Sequence, residues 1–135
     1  MISSGYVEIE HTADIALKVW GKDFYTLLSQ SAKGMYDLMG IIKDKKVHKS
    51  NCFLIEPSSL EIQLVDFLSE LLFLIDDKKE IYDTFSCQST EEGLEIQMQG
   101  WAVASIQRNI KAVTFHDLEI IERDSLLETV ITFDV

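Results

Sequence analysis

Two stretches of the chain carry apolar residues at the three-and-four spacing of an amphipathic helix, and each begins at a capping signal. The first is predicted to run from Phe24 to Met39, after Asp23 as the N-cap residue and before Gly40. The second follows Ser58-Ser59-Leu60-Glu61, a capping-box pattern, and its apolar stripe extends from Leu64 to Ile75. Both stripes must be buried, so we expect the two helices to pack on a sheet.

The segments around these helices alternate between apolar and polar residues or are rich in β-formers, which predicts strands. The predicted strands are Tyr6–Glu10, Ile15–Trp20, Val47–Glu56, Ile81–Gln88, Leu94–Ala102, Val113–Glu122 and Leu126–Phe133. Glu91-Glu92-Gly93 and Arg123-Asp124-Ser125 are predicted to close two hairpins, and the charged run Asp76–Glu80 a solvated turn. The order β-β-α-β-α-β-β-β-β predicts an α+β fold, with two helices packed on a largely antiparallel β-sheet.

Length and composition favour one compact unit. The chain has 135 residues, 47% of them apolar, with one proline, six glycines and no repeat or linker-like tract, so we expect a single domain over residues 1–135. No apolar run approaches the roughly 18 residues that a membrane span requires, and the N-terminus lacks signal-peptide features. We therefore expect a cytoplasmic protein without a membrane partner.

Charge is the strongest compositional bias, because 12 Lys and Arg stand against 23 Asp and Glu and leave a formal net charge of −11. Direct binding of nucleic acid is not expected, since each phosphate contact needs a cation. Two explanations stay open: solubility, or docking on a basic partner together with the holding of a cation. The cysteines, Cys52 and Cys87, form no metal-binding or redox spacing, and both are expected to be small buried side chains in a reducing compartment.

Two acidic positions are candidates for a metal site. Asp14 ends the polar segment Glu10–Asp14, where the side chains could equally bond to their own backbone in a turn. Asp134 stands next to Val135, whose α-carboxylate adds a second acidic group. If the last strand returned beside Asp14, several carboxylate oxygens would gather there, which suits Ca²⁺ or Mg²⁺. Spacing alone leaves this open.

A third candidate is the segment from Lys111 to His116, in which Lys111 and Val113 share one face of a strand, and Thr114 and His116 the other. Lys111 is either an exposed lysine at a strand start or a cation for an anionic group on a partner or substrate. The sequence contains no phosphate-binding glycine loop and no G-x-S-x-G or H-E-x-x-H pattern.

Five segments, taken in order, resemble the archease family over essentially the whole chain. They are Glu10-His11-Thr12-Ala13-Asp14-Ile15, Met35-Tyr36-Asp37-Leu38-Met39, Phe67-Leu68-Ser69-Glu70-Leu71-Leu72, Lys111-Ala112-Val113-Thr114-Phe115-His116 and Phe133-Asp134-Val135. The resemblance implies an accessory protein of the RNA-splicing ligase that joins 2′,3′-cyclic-phosphate or 3′-phosphate ends to 5′-hydroxyl ends in tRNA splicing and RNA repair. Such a protein is not itself the ligase; it promotes guanylylation of the ligase's histidine and multiple turnover.

The resemblance also implies a metal site and a functional lysine. Its metal ligands would be Asp14, Asp134 and the terminal group of Val135, and the functional lysine would be Lys111. The expected ion is Ca²⁺, with Mg²⁺ and Mn²⁺ as alternatives. His11 and His116 are the histidines expected beside these ligands.

The segment Val103–Ile110 departs from the resemblance, because many archeases have a longer polar stretch there, and any role of this loop in partner binding stays open. Two other functions are weighed against the accessory role. One is a metal-dependent phosphoesterase with Asp14 and Asp134 on the metal and His11 or His116 as acid or base. The other is a metal-binding adaptor or chaperone-like module with a structural cation.

Overall fold

The computed structural model describes residues 3–9 and 14–135. Its helices are α1 Phe24–Met39 and α2 Leu60–Phe73, and α2 continues into a π-helical turn over Leu74–Lys78. Its strands are β1 Gly5–Ile9, β2 Ile15–Gly21, β3 Ile42–Ile55, β4 Glu80–Thr90, β5 Gly93–Ser105, β6 Ala112–Thr114, β7 Ile121–Arg123 and β8 Leu126–Asp134. No helix in these two ranges is long and apolar enough to cross a membrane.

The strands form two antiparallel sheets. A five-stranded sheet has the order β1-β2-β8-β6, with β7 also paired to β8, and a three-stranded sheet has the order β3-β5-β4. The predicted α+β fold with two helices on largely antiparallel sheet is therefore confirmed. Strand β8 pairs with β2, β6 and β7, so it is the central strand of the larger sheet.

One hydrophobic core joins both helices to both sheets. Side chains with almost no exposed surface include Leu27 and Met35 of α1, Phe67 of α2, Ile96 of β5 and Phe133 of β8. Helix α1 lies very close to the sheet at Gly34, where an added Cβ would stand 2.4 Å from a Leu17 methyl carbon. Only glycine permits that approach, which explains a glycine in the middle of a helix.

The helix ends confirm most of the capping prediction. The Asp23 carboxylate accepts a hydrogen bond from the Thr26 N–H at 2.8 Å, which lowers the pKa of Asp23, and α1 stops at Gly40 with φ of 60°. The Ser59 hydroxyl accepts from the Ile62 N–H at 3.2 Å. The predicted capping box does not form, because Ser59 and not Ser58 is the N-cap residue and Glu61 therefore lies at the second helical position. The Glu61 carboxylate instead accepts from the Ile120 N–H at 2.9 Å and ties α2 to a distant loop.

The single strand predicted over Val113–Glu122 is wrong. The structure has two short strands there, β6 and β7, and both pair with β8. Between them Asp117 adopts a left-handed conformation with φ of 59°, and the Leu118 N–H donates to the Phe115 carbonyl at 3.1 Å. This turn redirects the chain and buries Leu118.

Two other predicted segments differ from the structure. Strand β3 begins at Ile42, five residues before the predicted start, and its register shifts between Asp44 and His48, so that the three residues between them have no partner on β5. The predicted solvated turn begins instead as the π-helical turn that extends α2 to Lys78.

The prediction that both cysteines are buried is wrong for Cys52. Cys52 is exposed because it alternates with Phe53 and Ile55 and therefore lies on the outward face of β3, while Cys87 is half-buried. Burial raises the pKa of the Cys87 thiol. Both thiols are free.

Candidate functional site

Three strand ends bring distant charged residues together at one end of the five-stranded sheet. In the β2–β8 pair Ile15 lies opposite Phe133, so Asp14, just before β2, and Asp134, the last residue of β8, come at the same end. The β8–β6 pair places Ala112 opposite Asp134. Since β8 lies between β2 and β6, both neighbouring strands begin where β8 ends.

Lys111 is held beside the same residue through its backbone. Its N–H donates a hydrogen bond to the carbonyl oxygen of Asp134 at 2.8 Å. Val113, two residues further along, is buried, which fixes how this segment lies on the sheet. The backbone register thus brings Asp14, Lys111 and Asp134 to the same end of one sheet.

The side chains at this end are accessible to solvent. Phe133 is fully buried, and because successive strand residues point to opposite faces, Asp134 is exposed on the face away from the helices. Asp14 is half-exposed, and Val135 is 42% exposed. Lys111 is exposed as well, but it lines a cleft beside the helices. The Lys111 side chain therefore lies on the helix side of the five-stranded sheet, and the Asp134 carboxylate lies on the opposite face.

The donor set at this end is chemically suited to a hard divalent cation. The two aspartates offer oxygen atoms alone, as Ca²⁺, Mg²⁺ and Mn²⁺ prefer. Within residues 3–9 and 14–135, no three side chains of His, Cys, Asp or Glu gather in a way that could hold a metal. Residues 10–13, including Glu10 and His11, lie outside the described residues.

His116 takes no part in this arrangement. Its side chain is 84% exposed, with Nε2 at 3.1 Å from an Asp117 carboxylate oxygen, and it lies two residues beyond the end of β6. Because β6 runs antiparallel to β8, each step from Ala112 to His116 leads away from Asp134. The structure does not bring His116 to the carboxylates.

Sequence comparison identifies the family of this fold. A model of the Archease protein family (MTH1598/TM1083) matches residues 6–135. The chain belongs to the archease family. Protein archease of Methanosarcina barkeri is 32% identical over 127 residues, which cover 85% of this chain and 85% of the relative. Protein archease of Thermococcus kodakarensis is 29% identical over 121 residues, which cover 82% and 84%.

Solved structures confirm the archease fold. The solution structure of protein 1598 of Methanobacterium thermoautotrophicum has a TM-score of 0.73 at 22% identity and covers 97% of this chain and 99% of its own. The crystal structure of a Thermotoga maritima archease, described as a possible chaperone, has a TM-score of 0.73 at 24% identity and covers 94% of both chains. The family prediction is confirmed.

The short segment that departs from the archease pattern is tied to the first helix. The N–H groups of Gln107 and Arg108 both donate to the Met39 carbonyl oxygen at 3.0 Å, at the C-terminal end of α1. Ile106, Asn109 and their neighbours then form one wall of the cleft that Lys111 lines. In this archease the segment therefore shapes the surroundings of Lys111.

Lys79 is a candidate functional residue that the sequence analysis did not identify. It belongs to a charged run that resembles a solvated turn, yet it lines the same cleft as Lys111. Its left-handed backbone conformation, with φ of 57°, is uncommon for a residue with a side chain. No local sequence signal reports that conformation, because glycine and asparagine are the residues that favour it.

Proposed function

We propose that this archease is an accessory factor of the RNA-splicing ligase that joins 2′,3′-cyclic-phosphate or 3′-phosphate RNA ends to 5′-hydroxyl ends. It promotes guanylylation of the ligase's histidine and allows the ligase many turnovers, in tRNA splicing and RNA repair in the cytoplasm, without performing the ligation itself. Membership of the archease family supports this assignment.

One observation carries the proposal: the register of β2, β8 and β6 gathers Asp14, Asp134 and Lys111 at one end of a single sheet. These are the residues that the family resemblance assigns to function. Their positions in the chain are far apart, so this meeting is a property of the fold.

The carboxylates of Asp14 and Asp134, with the terminal group of Val135, hold a divalent cation in this proposal, Ca²⁺ first and Mg²⁺ or Mn²⁺ as alternatives. The bound ion supplies positive charge that attracts an anionic group of the partner or its nucleotide. The two aspartates remain exposed enough to be reached by a second protein.

Lys111 contributes a second positive charge beside this end of the sheet. As an exposed ammonium on a flexible stem, it can reach a phosphate in the nucleotide pocket of the docked ligase. The net charge of −11 steers the protein toward a basic surface of the ligase, so the association rate should fall as salt is added. RNA need not touch the archease.

The test is single-turnover guanylylation of a purified RNA-splicing ligase with GTP and Mn²⁺. It compares no addition, wild-type archease, Asp134→Ala and Lys111→Ala, with Asp66→Ala as the matched control because Asp66 is exposed on α2 and does not line the cleft beside Lys111. We expect stimulation by the wild type and the control, and its loss in the two site variants. Stimulation that survives in both site variants would refute the assigned residues.

Two outcomes favour the other functions. Metal-dependent stability without any effect on a cognate ligase favours a metal-binding adaptor or chaperone-like module, in line with the description of the Thermotoga maritima protein as a possible chaperone. Divalent-dependent hydrolysis of phosphodiesters by the purified chain alone favours a phosphoesterase.

A further inference from the structure

A cleft of about 550 Å³ opens between the C-terminal ends of the two helices and the segment that leads into β6. This volume falls within the roughly 300–1,000 Å³ typical of sites for small molecules. Its apolar lining includes Leu72, Phe73, Ile75, Ile106, Ile110 and Val113. Ser69 and Asn109 add polar groups, so the cleft combines an apolar floor with hydrogen-bonding partners.

The charges in this cleft oppose those of the whole protein. Lys79 and Lys111 line it, and Asp76 is the one acidic side chain among its described lining residues. Elsewhere acidic residues dominate, since the chain carries a net charge of −11. A local excess of positive charge on such a protein indicates a site for an anion.

Lys79 is held in place by its backbone on both sides. Its N–H donates to the Ile75 carbonyl at 3.2 Å, and its own carbonyl accepts from the Val103 N–H at 2.8 Å. Its Nζ donates to the Asp76 carbonyl at 2.8 Å, which directs the ammonium and leaves two of its donor positions.

The backbone conformation of Lys79 is uncommon for a residue with a side chain. With φ of 57° it occupies the left-handed position after a helical segment, where glycine avoids the steric cost that a side chain incurs. The Lys79 side chain lines the cleft, so its ammonium is placed where an anion bound in the cleft could reach it.

We propose that this cleft binds a phosphate monoester attached to an aromatic or apolar group, with Lys79 and Lys111 on the phosphate and the apolar floor under the rest. Lysine ammonium groups bind phosphate as point charges, and the floor adds affinity for a base or a similar ring. The inference takes one point from the proposed function, namely that Lys111 binds a phosphate. It is tested without the ligase.

The test is an NMR titration of the ¹⁵N-labelled full chain, without divalent metal, using AMP, ribose 5-phosphate and adenosine as probes. We expect AMP to shift the amide signals of Ser69, Asn109 and Lys111, ribose 5-phosphate to bind more weakly, and adenosine to bind most weakly. Binding of AMP should weaken as salt is added.

Three variants separate binding from folding. Lys79→Gly removes the cation while suiting the left-handed backbone, so AMP affinity should fall about tenfold or more while the thermal midpoint stays at or above that of the wild type. Lys111→Met should weaken AMP by a similar factor. Lys78→Ala removes the neighbouring exposed lysine as a matched control and should leave AMP affinity unchanged.

Three results would overturn the inference. The first is the absence of AMP-dependent shifts at millimolar concentration, and the second is a set of shifts confined to residues outside the cleft. The third is wild-type AMP affinity in Lys79→Gly, which would leave Lys79 as a helix cap alone. If the protein stimulates the ligase but does not bind AMP, the phosphate site is refuted and the proposed function stands. If it binds AMP but does not stimulate the ligase, the phosphate site stands and the proposed function is refuted.

Discussion

One charged cluster in the three-stranded sheet differs from the end of the five-stranded sheet in how it uses charge. In the three-stranded sheet Lys43 pairs with Asp83: Lys43 Nζ lies 2.6 Å from an Asp83 carboxylate oxygen, which also accepts from the Trp101 indole N–H at 3.2 Å. At the end of the five-stranded sheet, the side chains of Asp134 and Lys111 form no ion pair or hydrogen bond with any residue that the structure describes. Paired charges stabilise the fold, whereas unpaired ones remain available to a ligand or partner.

The pKa of Asp83 reflects this pairing. Burial by itself raises the pKa of the carboxyl, but the hydrogen bond and positive charge of Lys43, together with the Trp101 N–H, outweigh burial and hold the pKa below its usual value. The folded state therefore stabilises the charged carboxylate form of Asp83.

The largest expected change in unfolding free energy is at Phe133, and it should contrast with a small change at the adjacent residue Asp134. Phe133→Ala removes a fully buried ring and should lower the free energy of unfolding by about 3–5 kcal/mol. Asp134→Ala changes an exposed side chain and should alter it by no more than about 0.5 kcal/mol. Urea denaturation in the presence of a chelator measures both. Similar losses in the two variants would show that the Asp134 side chain supports the fold.

An intermediate effect is expected in the three-stranded sheet. Asp83→Asn weakens the contacts to both Lys43 and Trp101 and should lower the free energy of unfolding by about 1–2 kcal/mol at neutral pH. The control Asp66→Asn changes an exposed aspartate of α2, and urea denaturation should show little change for it. An Asp83→Asn variant as stable as the control would contradict the contrast between the two sheets.

Acid should remove the Asp83 contribution. Because the folded pKa of Asp83 lies below its unfolded value, its stabilisation is present above the unfolded pKa and is lost as pH falls through the folded pKa. The difference in unfolding free energy between wild type and Asp83→Asn should therefore shrink from neutral pH into the acid range. Urea denaturation of both proteins across that range tests this, and a constant difference would contradict it.

The smallest effect on folding is expected at Lys111. Lys111→Met should change the free energy of unfolding by less than about 0.5 kcal/mol, because the lysine is exposed and the cleft beside it is partly apolar. The same variant should no longer stimulate ligase guanylylation, while the control Lys33→Met, on the surface of α1, should behave as wild type. A loss of stability as large as that of Asp83→Asn would give Lys111 a structural role.

Local signals predicted the helices well. Helix α1 begins at Phe24 and ends at Met39 as predicted, and Asp23, Ser59 and Gly40 act at the helix ends. These signals operate within one or two turns of chain, so the residues that carry them are close in sequence. The same holds for the hairpin turn at Asp124 and Ser125, whose positive φ angles suit two antiparallel strands.

Features that depend on distant partners were predicted less well. The turn at Asp117 divides one predicted strand into β6 and β7, and β8 supplies the pairing for both. The exposure of Cys52 depends on which face of β3 packs against the core, and Phe53 and Ile55 take that inward face. Lys79 enters a cleft because the segment before β6 crosses both helix ends.

By itself the sequence determined the two helices, the class of fold, the family and the residue types available for a metal and a phosphate. The tertiary structure alone decided that Asp14, Lys111 and Asp134 lie at the same end of one sheet, because this depends on the register of three strands that are far apart in the chain. Register is set by which side chains are buried together in the common core, and that choice is made collectively by the whole chain.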